Sequence, residues 1–171
     1  LILQIGPLSE TQVVIDSVRT PEDTTKQYKV IVLYNEYQDL FLPVWIGPIE
    51  AEVIVSELNN IPHQTTTNFI DQIKLTGKPI KISITDLINQ VYKATITVEE
   101  SGNEIHIPMR PSDVLAVAVR LDLPIFANHA VMEKTGVSPP NSDLIVIAYS
   151  SLKSILTKIV TRLSPKKSNP I

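Results

Sequence analysis

The chain has 171 residues, 43% of them hydrophobic, and no cysteine. That suits one core-forming domain with an appendage, and it excludes a disulfide framework, a thiolate metal site and a cysteine nucleophile. The net charge of −3 conceals an asymmetry: residues 1–143 carry ten basic and 18 acidic side chains, residues 144–171 five basic and none acidic. The body therefore does not attract nucleic acid by its bulk field, and any such contact needs a local basic site, a metal or the tail. Leu1 to Leu8 lacks the charged leader of a secretory signal, and the uncharged run Leu144 to Leu152 is too short to cross a bilayer. A cytoplasmic location is expected on these grounds.

Val13 to Val18 is a short β-rich run, and Thr20 to Thr25 reads as a polar turn. Tyr28 to Tyr34 and Leu40 to Ile46 are the next two strands, joined by a turn over Asn35 to Asp39. The three together predict a meander, with Pro43 marking an edge or a bulge because it removes a ladder donor. Trp45, the only tryptophan, is expected as a core anchor; stacking on a nucleic-acid base would require it to be exposed. Gly47-Pro48 ends the strand and starts a helix whose buried stripe is expected at Ala51, Ile54, Val55 and Leu58. Asn59 to His63 is a loop, Thr65, Thr66 and Thr67 offer N-caps for a second helix, and Gly77 stops it.

Pro79 to Thr85 alternates, with Ile80, Ile82 and Ile84 expected on the buried face and Lys81, Ser83 and Thr85 opposite. Asp86 to Asn89 reads as the turn into a strand over Val91 to Val98. Ser101-Gly102-Asn103 then turns the chain into a strand that runs to Pro108, with His106 half-exposed on it. Leu123 to Ala127 is a short strand, and Asn128 caps a small helix over His129 to Thr135. The predicted domain spans residues 10–137, followed by a linker at 138–143, a basic amphipathic helix at 144–164 and a polar tail at 165–171. That helix is expected to pack on the domain, on a second copy, on another partner or on a membrane surface.

Between these strands stands Met109-Arg110-Pro111-Ser112-Asp113-Val114-Leu115-Ala116-Val117-Ala118-Val119-Arg120. Pro111 suits the first helical position, and Asp113 lies where the helix dipole favours a carboxylate and free amides can hold an anion. Val114 to Val119 has no polar face, which predicts a buried helix. Arg-Pro-Ser-Asp is equally an ordinary helix start. Glu50 likewise has two readings: a dipole-matched first-turn acid, or a metal ligand or general base facing Arg110 and Asp113.

The run Arg110 to Arg120 resembles a signature of the bifunctional nuclease domain family, and so does Leu42-Pro-Val-Trp-Ile-Gly-Pro-Ile-Glu-Ala51, in the same order and at comparable spacing. The resemblance covers roughly Val13 to Val137. It implies an α+β domain and cleavage of DNA and RNA. The chain departs from the family pattern at three positions: Thr67 and Asn68 stand where most members carry a histidine and an acid, and Pro108 where an aspartate is common. Glu50, Asp113 and Ser112 remain as candidate catalytic residues, with Glu50 and Asp113 also candidate ligands of one Mg²⁺. Arg110 and Arg120 are the candidate phosphate-binding residues. The equally cheap alternative is a buried Glu/Asp–Arg network that fixes two helix starts.

Strands outnumber helices and do not alternate with them, so the expected architecture is α+β. It has a mainly antiparallel or mixed sheet, helices after the third and sixth strands, and the C-terminal amphipathic helix. Sheet edges and a sticky helix favour a homo-oligomer. Two functions follow: a nuclease acting on DNA and RNA, or a non-catalytic module holding nucleic acid, an anionic ligand or a protein partner in the same hollow.

Overall fold

The centre of the sheet is taken by the strand that comes last among the described residues. In the computed structural model, which describes residues 10–21 and 27–138, seven strands form one mixed sheet. They are β1 (Glu10–Arg19), β2 (Lys29–Asn35), β3 (Leu40–Ile46), β4 (Lys78–Ile88), β5 (Val91–Glu100), β6 (Asn103–Met109) and β7 (Ile125–Asn128). Their order is β3-β2-β1-β7-β4-β5-β6. Every described pairing is antiparallel except β4 with β7, which brings Ile82 beside Ile125. β7, last in sequence among the described strands, is thus central in the sheet. β1 makes this possible: Glu10 to Val13 pairs with β7, and Val14 to Arg19 pairs with β2 across a bulge between Ile15 and Ser17.

Four helices complete the domain: α1 (Pro48–Leu58), α2 (Gln64–Lys74), α3 (Pro111–Leu121) and α4 (His129–Thr135). α3 packs against α1, α2, β4 and β5. Its stretch Val114 to Ala118 is buried throughout, as a helix without a polar face requires. The small side chains of Ala116 and Ala118 allow neighbouring elements to approach closely. Among the described residues no helix is long and apolar enough to cross a membrane. The compact unit built by these elements ends at Val137. The predicted basic helix at 144–164, the tail, and the linker beyond Ser138 lie outside the described residues.

Several local expectations are corrected. Trp45 is 56% exposed rather than a core anchor, because the alternation of β3 turns Leu42, Val44 and Ile46 inward and leaves Phe41, Pro43 and Trp45 on the other face. Pro43 does lie on an edge strand: among the described residues β3 forms a ladder only with β2, and its outer side makes a single bridge, Phe41 to Val137. The buried face of α1 comprises Ala51, Val53, Ile54 and Glu57, whereas Val55 and Leu58 are exposed. β4 buries Ile82, Ser83 and Ile84 consecutively, with Ser83 flanked in the sheet by Phe126 of β7 and Thr95 of β5. It also runs on to Ile88: a register shift between Ile84 and Asp86 absorbs the polar residues expected to turn the chain. The turn itself is Asn89-Gln90, with φ of 49° and 64°, as a two-residue hairpin turn demands. α2 starts earlier than the threonines suggest. His63 is its N-cap, with Nδ1 accepting from the Thr65 N–H at 3.2 Å.

Leu115 is fully buried in α3, so Leu115→Ala should lower unfolding free energy by about 3 kcal/mol. Trp45→Leu, on the exposed face, should change it by less than about 1 kcal/mol. Urea unfolding followed by circular dichroism measures both, and a loss at position 45 matching that at 115 would place Trp45 in the core after all.

Candidate functional site

α1 and α3 begin in the same way. Each has proline at its first position and an acid at its third: Pro48 with Glu50, Pro111 with Asp113. Neither N-cap residue, Gly47 or Arg110, supplies a side-chain cap. The positive ends of the two helix dipoles are therefore met by Glu50 and Asp113. The first turns of α1, α2 and α3 together line a small hollow of about 90 Å³, whose walls include Glu50, Thr65, Thr66, Arg110, Ser112 and Asp113.

Arg110 joins the two acids. Its Nε donates to Asp113 Oδ2 at 2.8 Å and its Nη2 to Asp113 Oδ1 at 3.0 Å, a bidentate pair. Its Nη1 reaches Glu50 Oε1 at 3.4 Å, across sixty residues of sequence. The Asp113 bonds hold the guanidinium still more firmly in its charged form. The arginine side chain is 63% exposed, against 32% for Glu50 and 12% for Asp113. Asp113 is thus a fixed anchor, and Glu50 a looser, water-reachable carboxylate. Gly47 lies against Glu50, since a Cβ there would overlap the Glu50 carboxylate. Ser112 is buried at the second position of α3. Thr66 is fully buried, and its hydroxyl has no hydrogen-bond partner among the described residues.

The structure therefore brings together Glu50, Arg110, Ser112 and Asp113. It does not bring Arg120 to them. That residue lies ten positions further along α3, roughly 15 Å at the helical rise. There its Nη2 donates to Glu57 Oε1 at 2.6 Å while its Nε donates to Glu57 Oε2. Arg120 also donates to Thr67 Oγ1 and to the His63 carbonyl, each at 3.3 Å. The His63 N–H donates to Glu57 Oε1 at 3.0 Å. Glu57 is only 4% exposed. Burial works against its charge, but the Arg120 and His63 hydrogen bonds outweigh it and hold its carboxyl below the usual carboxylate range.

Sequence reasoning missed Glu57. The available signal was an acid three residues after Ile54, on the inward side of an apolar helix, in a chain that also carries an arginine on a buried helix. Of the departures from the family pattern, Thr67 faces the Arg120 pair, Asn68 accepts from Gln64 on α2 at 2.8 Å, and Pro108 lies in β6 opposite Thr95.

Among the described residues no three His, Cys, Asp or Glu side chains are grouped to hold a metal. Glu50 and Asp113 share a guanidinium, and hard carboxylate oxygens of this kind are also what Mg²⁺ takes. It needs only one or two of them beside its waters and substrate oxygens.

The model of the bifunctional nuclease domain matches residues 31–140 of the chain. An uncharacterized protein of Mycobacterium tuberculosis (strain ATCC 25618 / H37Rv) is 30% identical over 138 residues, covering 78% of this chain and 80% of that protein. Bifunctional nuclease 1 of Oryza sativa subsp. japonica and the bifunctional nuclease of Oryza minuta are each 23% identical over 122 residues. Those matches cover 67% of this chain but 37% of the rice proteins.

The buried pair makes a stability prediction. Arg120→Met leaves Glu57 charged and uncompensated, and should cost on the order of 3 to 5 kcal/mol. Because Glu57 titrates lower when folded, its contribution is full above its unfolded pKa, about 4.3, and is lost as pH falls through the lowered folded value. Urea midpoints measured from neutral to acid pH should show that loss in the parent and a shallower one in Glu57→Gln. Identical slopes would remove the pair from the acid response.

Proposed function

The chain belongs to the bifunctional nuclease domain family, and from that premise we propose that the hollow at the starts of α1 and α3 binds and hydrolyses a phosphodiester of DNA or RNA. One observation carries the reading: Glu50, Arg110 and Asp113, from distant parts of the chain, meet at one water-reachable hollow.

Asp113 is a positioning residue. By occupying Nε and one donor of Nη2, it turns the other guanidinium donors outward, where a phosphate oxygen can take them. The first-turn amides of α3 lie at the same end of the helix and favour the same negative charge. Glu50, held by a single long contact, acts as general base. It takes a proton from water, the water oxygen bonds to phosphorus, and the bond from phosphorus to the leaving oxygen breaks. That oxygen takes a proton from solvent, so the products are a phosphomonoester and an alcohol. Mg²⁺, held by Glu50 and Asp113, would polarise a phosphoryl oxygen at this position.

A second reading, binding without hydrolysis, is favoured by Thr67, Asn68 and Pro108, which supply no ionisable group where the family pattern has one. One experiment separates the two. Single-stranded DNA and RNA oligomers are incubated with the protein in Mg²⁺ and in EDTA. The parent should cleave, and Glu50→Gln should lower turnover by roughly 10²-fold or more. Asp113→Ala should weaken substrate binding as well as turnover. Undiminished cleavage by both variants would move the chemistry elsewhere, and oligomer binding without cleavage by the parent would select the second reading.

A further inference from the structure

Trp45 is more than half exposed at the end of β3, although it is the chain's only tryptophan and a large apolar surface. It lines a groove of about 280 Å³ together with Gln90, Val91 and Tyr92 from the β4–β5 hairpin and with Glu50, Arg110 and Ser112. The last three residues also line the hollow described above. An apolar ring face and a partly exposed guanidinium thus share one continuous groove.

That combination matches a single nucleic-acid strand, which stacks bases on aromatic rings and places its phosphates against cations. Trp, Tyr and Arg are also common in protein interfaces, so the choice of a nucleic-acid strand rests on the adjoining hollow, where Arg110 and the first turn of α3 suit a phosphate. A paired base inside a duplex already has both faces covered by its neighbours. Only an unpaired base can offer a face to Trp45.

We propose that Trp45 is a base-stacking residue that makes this domain selective for single strands: the groove takes an unpaired base of DNA or RNA against the indole while the adjoining phosphate lies at Arg110. The inference rests on the phosphodiester reading of the hollow for its phosphate, and not on hydrolysis. It assigns Trp45 a role in choosing the substrate, separate from the polar groups that act on it.

Because Trp45 is the only tryptophan, its fluorescence reports on this groove alone. The probes are a short dye-labelled oligothymidylate with a phosphorothioate backbone, an abasic oligomer of the same length and backbone, and the duplex form of the first, all in Mg²⁺. The oligothymidylate should quench Trp45 emission saturably, and the abasic oligomer and duplex should leave it nearly unchanged. Trp45→Ala should weaken oligothymidylate binding, followed by dye anisotropy, by roughly 5- to 150-fold, the worth of one stacked base. It should leave the abasic oligomer's affinity and the urea midpoint as in the parent, and Trp45→Phe should recover most of the loss.

Oligothymidylate binding with unchanged Trp45 emission, or equal quenching by the abasic oligomer, overturns the stacking role and leaves the phosphodiester reading standing. Emission that shifts with protein concentration alone marks Trp45 as a self-association contact and overturns it too. No binding of any of the three oligomers removes the phosphate site, and the stacking role with it.

Discussion

A helix with no polar face has to be covered on every side, and meeting that requirement for α3 arranges the rest of the domain. Val114 to Ala118 is buried throughout. β4 and β5 lie along it, and α1 and α2 close over it. Such a rod carries no polar group of its own along its length, so its polar chemistry is confined to its ends. Arg110 and Arg120 stand at those ends, and each is tied to an acid of α1: Arg110 to Glu50, Arg120 to Glu57. The two ties run in the same order along both helices, so α1 and α3 point the same way. Their positive dipole ends therefore meet at one place, which is why a hollow suited to negative charge lies there.

The two ties differ in environment and hence in kind. Glu57 and Arg120 are largely removed from water and hold each other through two hydrogen bonds, with His63 adding a third to the carboxylate. In that setting the charges must stay paired, and the pair locks α1, α2 and α3 to one another. Glu50 and Arg110 meet at 3.4 Å with Arg110 mostly in solvent. A contact like that is worth little in water and is readily exchanged for another charged partner. The buried tie holds the helices together, and the exposed one adds little to that hold. Gly47 contributes by leaving room for the Glu50 carboxylate against the backbone.

Around this arrangement the groove beyond the hollow is wide and partly apolar. It is walled by the end of β3 and by the β4–β5 hairpin, elements from opposite halves of the sheet order. Glu50, Arg110 and Ser112 at the helix starts line both the hollow and this groove, whereas Trp45 and the hairpin residues line the groove alone.

Much of this was legible in the sequence because it is local. The β3 residues Leu42, Val44 and Ile46 alternate, Pro48 and Pro111 announce helix starts, and Asn128 caps α4, its Oδ1 accepting from Ala130 N–H at 2.9 Å. The all-apolar stretch of α3 predicted its own burial. Periodicity names the faces of an element without naming what covers each face, and there the reading failed. An apolar side chain such as Trp45 reads as core, yet it stands on the β3 face opposite the buried Leu42, Val44 and Ile46 and is more than half exposed. Alternation puts Ser83 on the outer face, yet it is buried, flanked in the sheet by Phe126 of β7 and Thr95 of β5. Glu57 drew no attention because its partner lies 63 residues away. The meeting of Glu50 with Arg110, the central place of β7 and the burial of Glu57 are all non-local. They arise only when the chain closes on itself and decides which surfaces lose water.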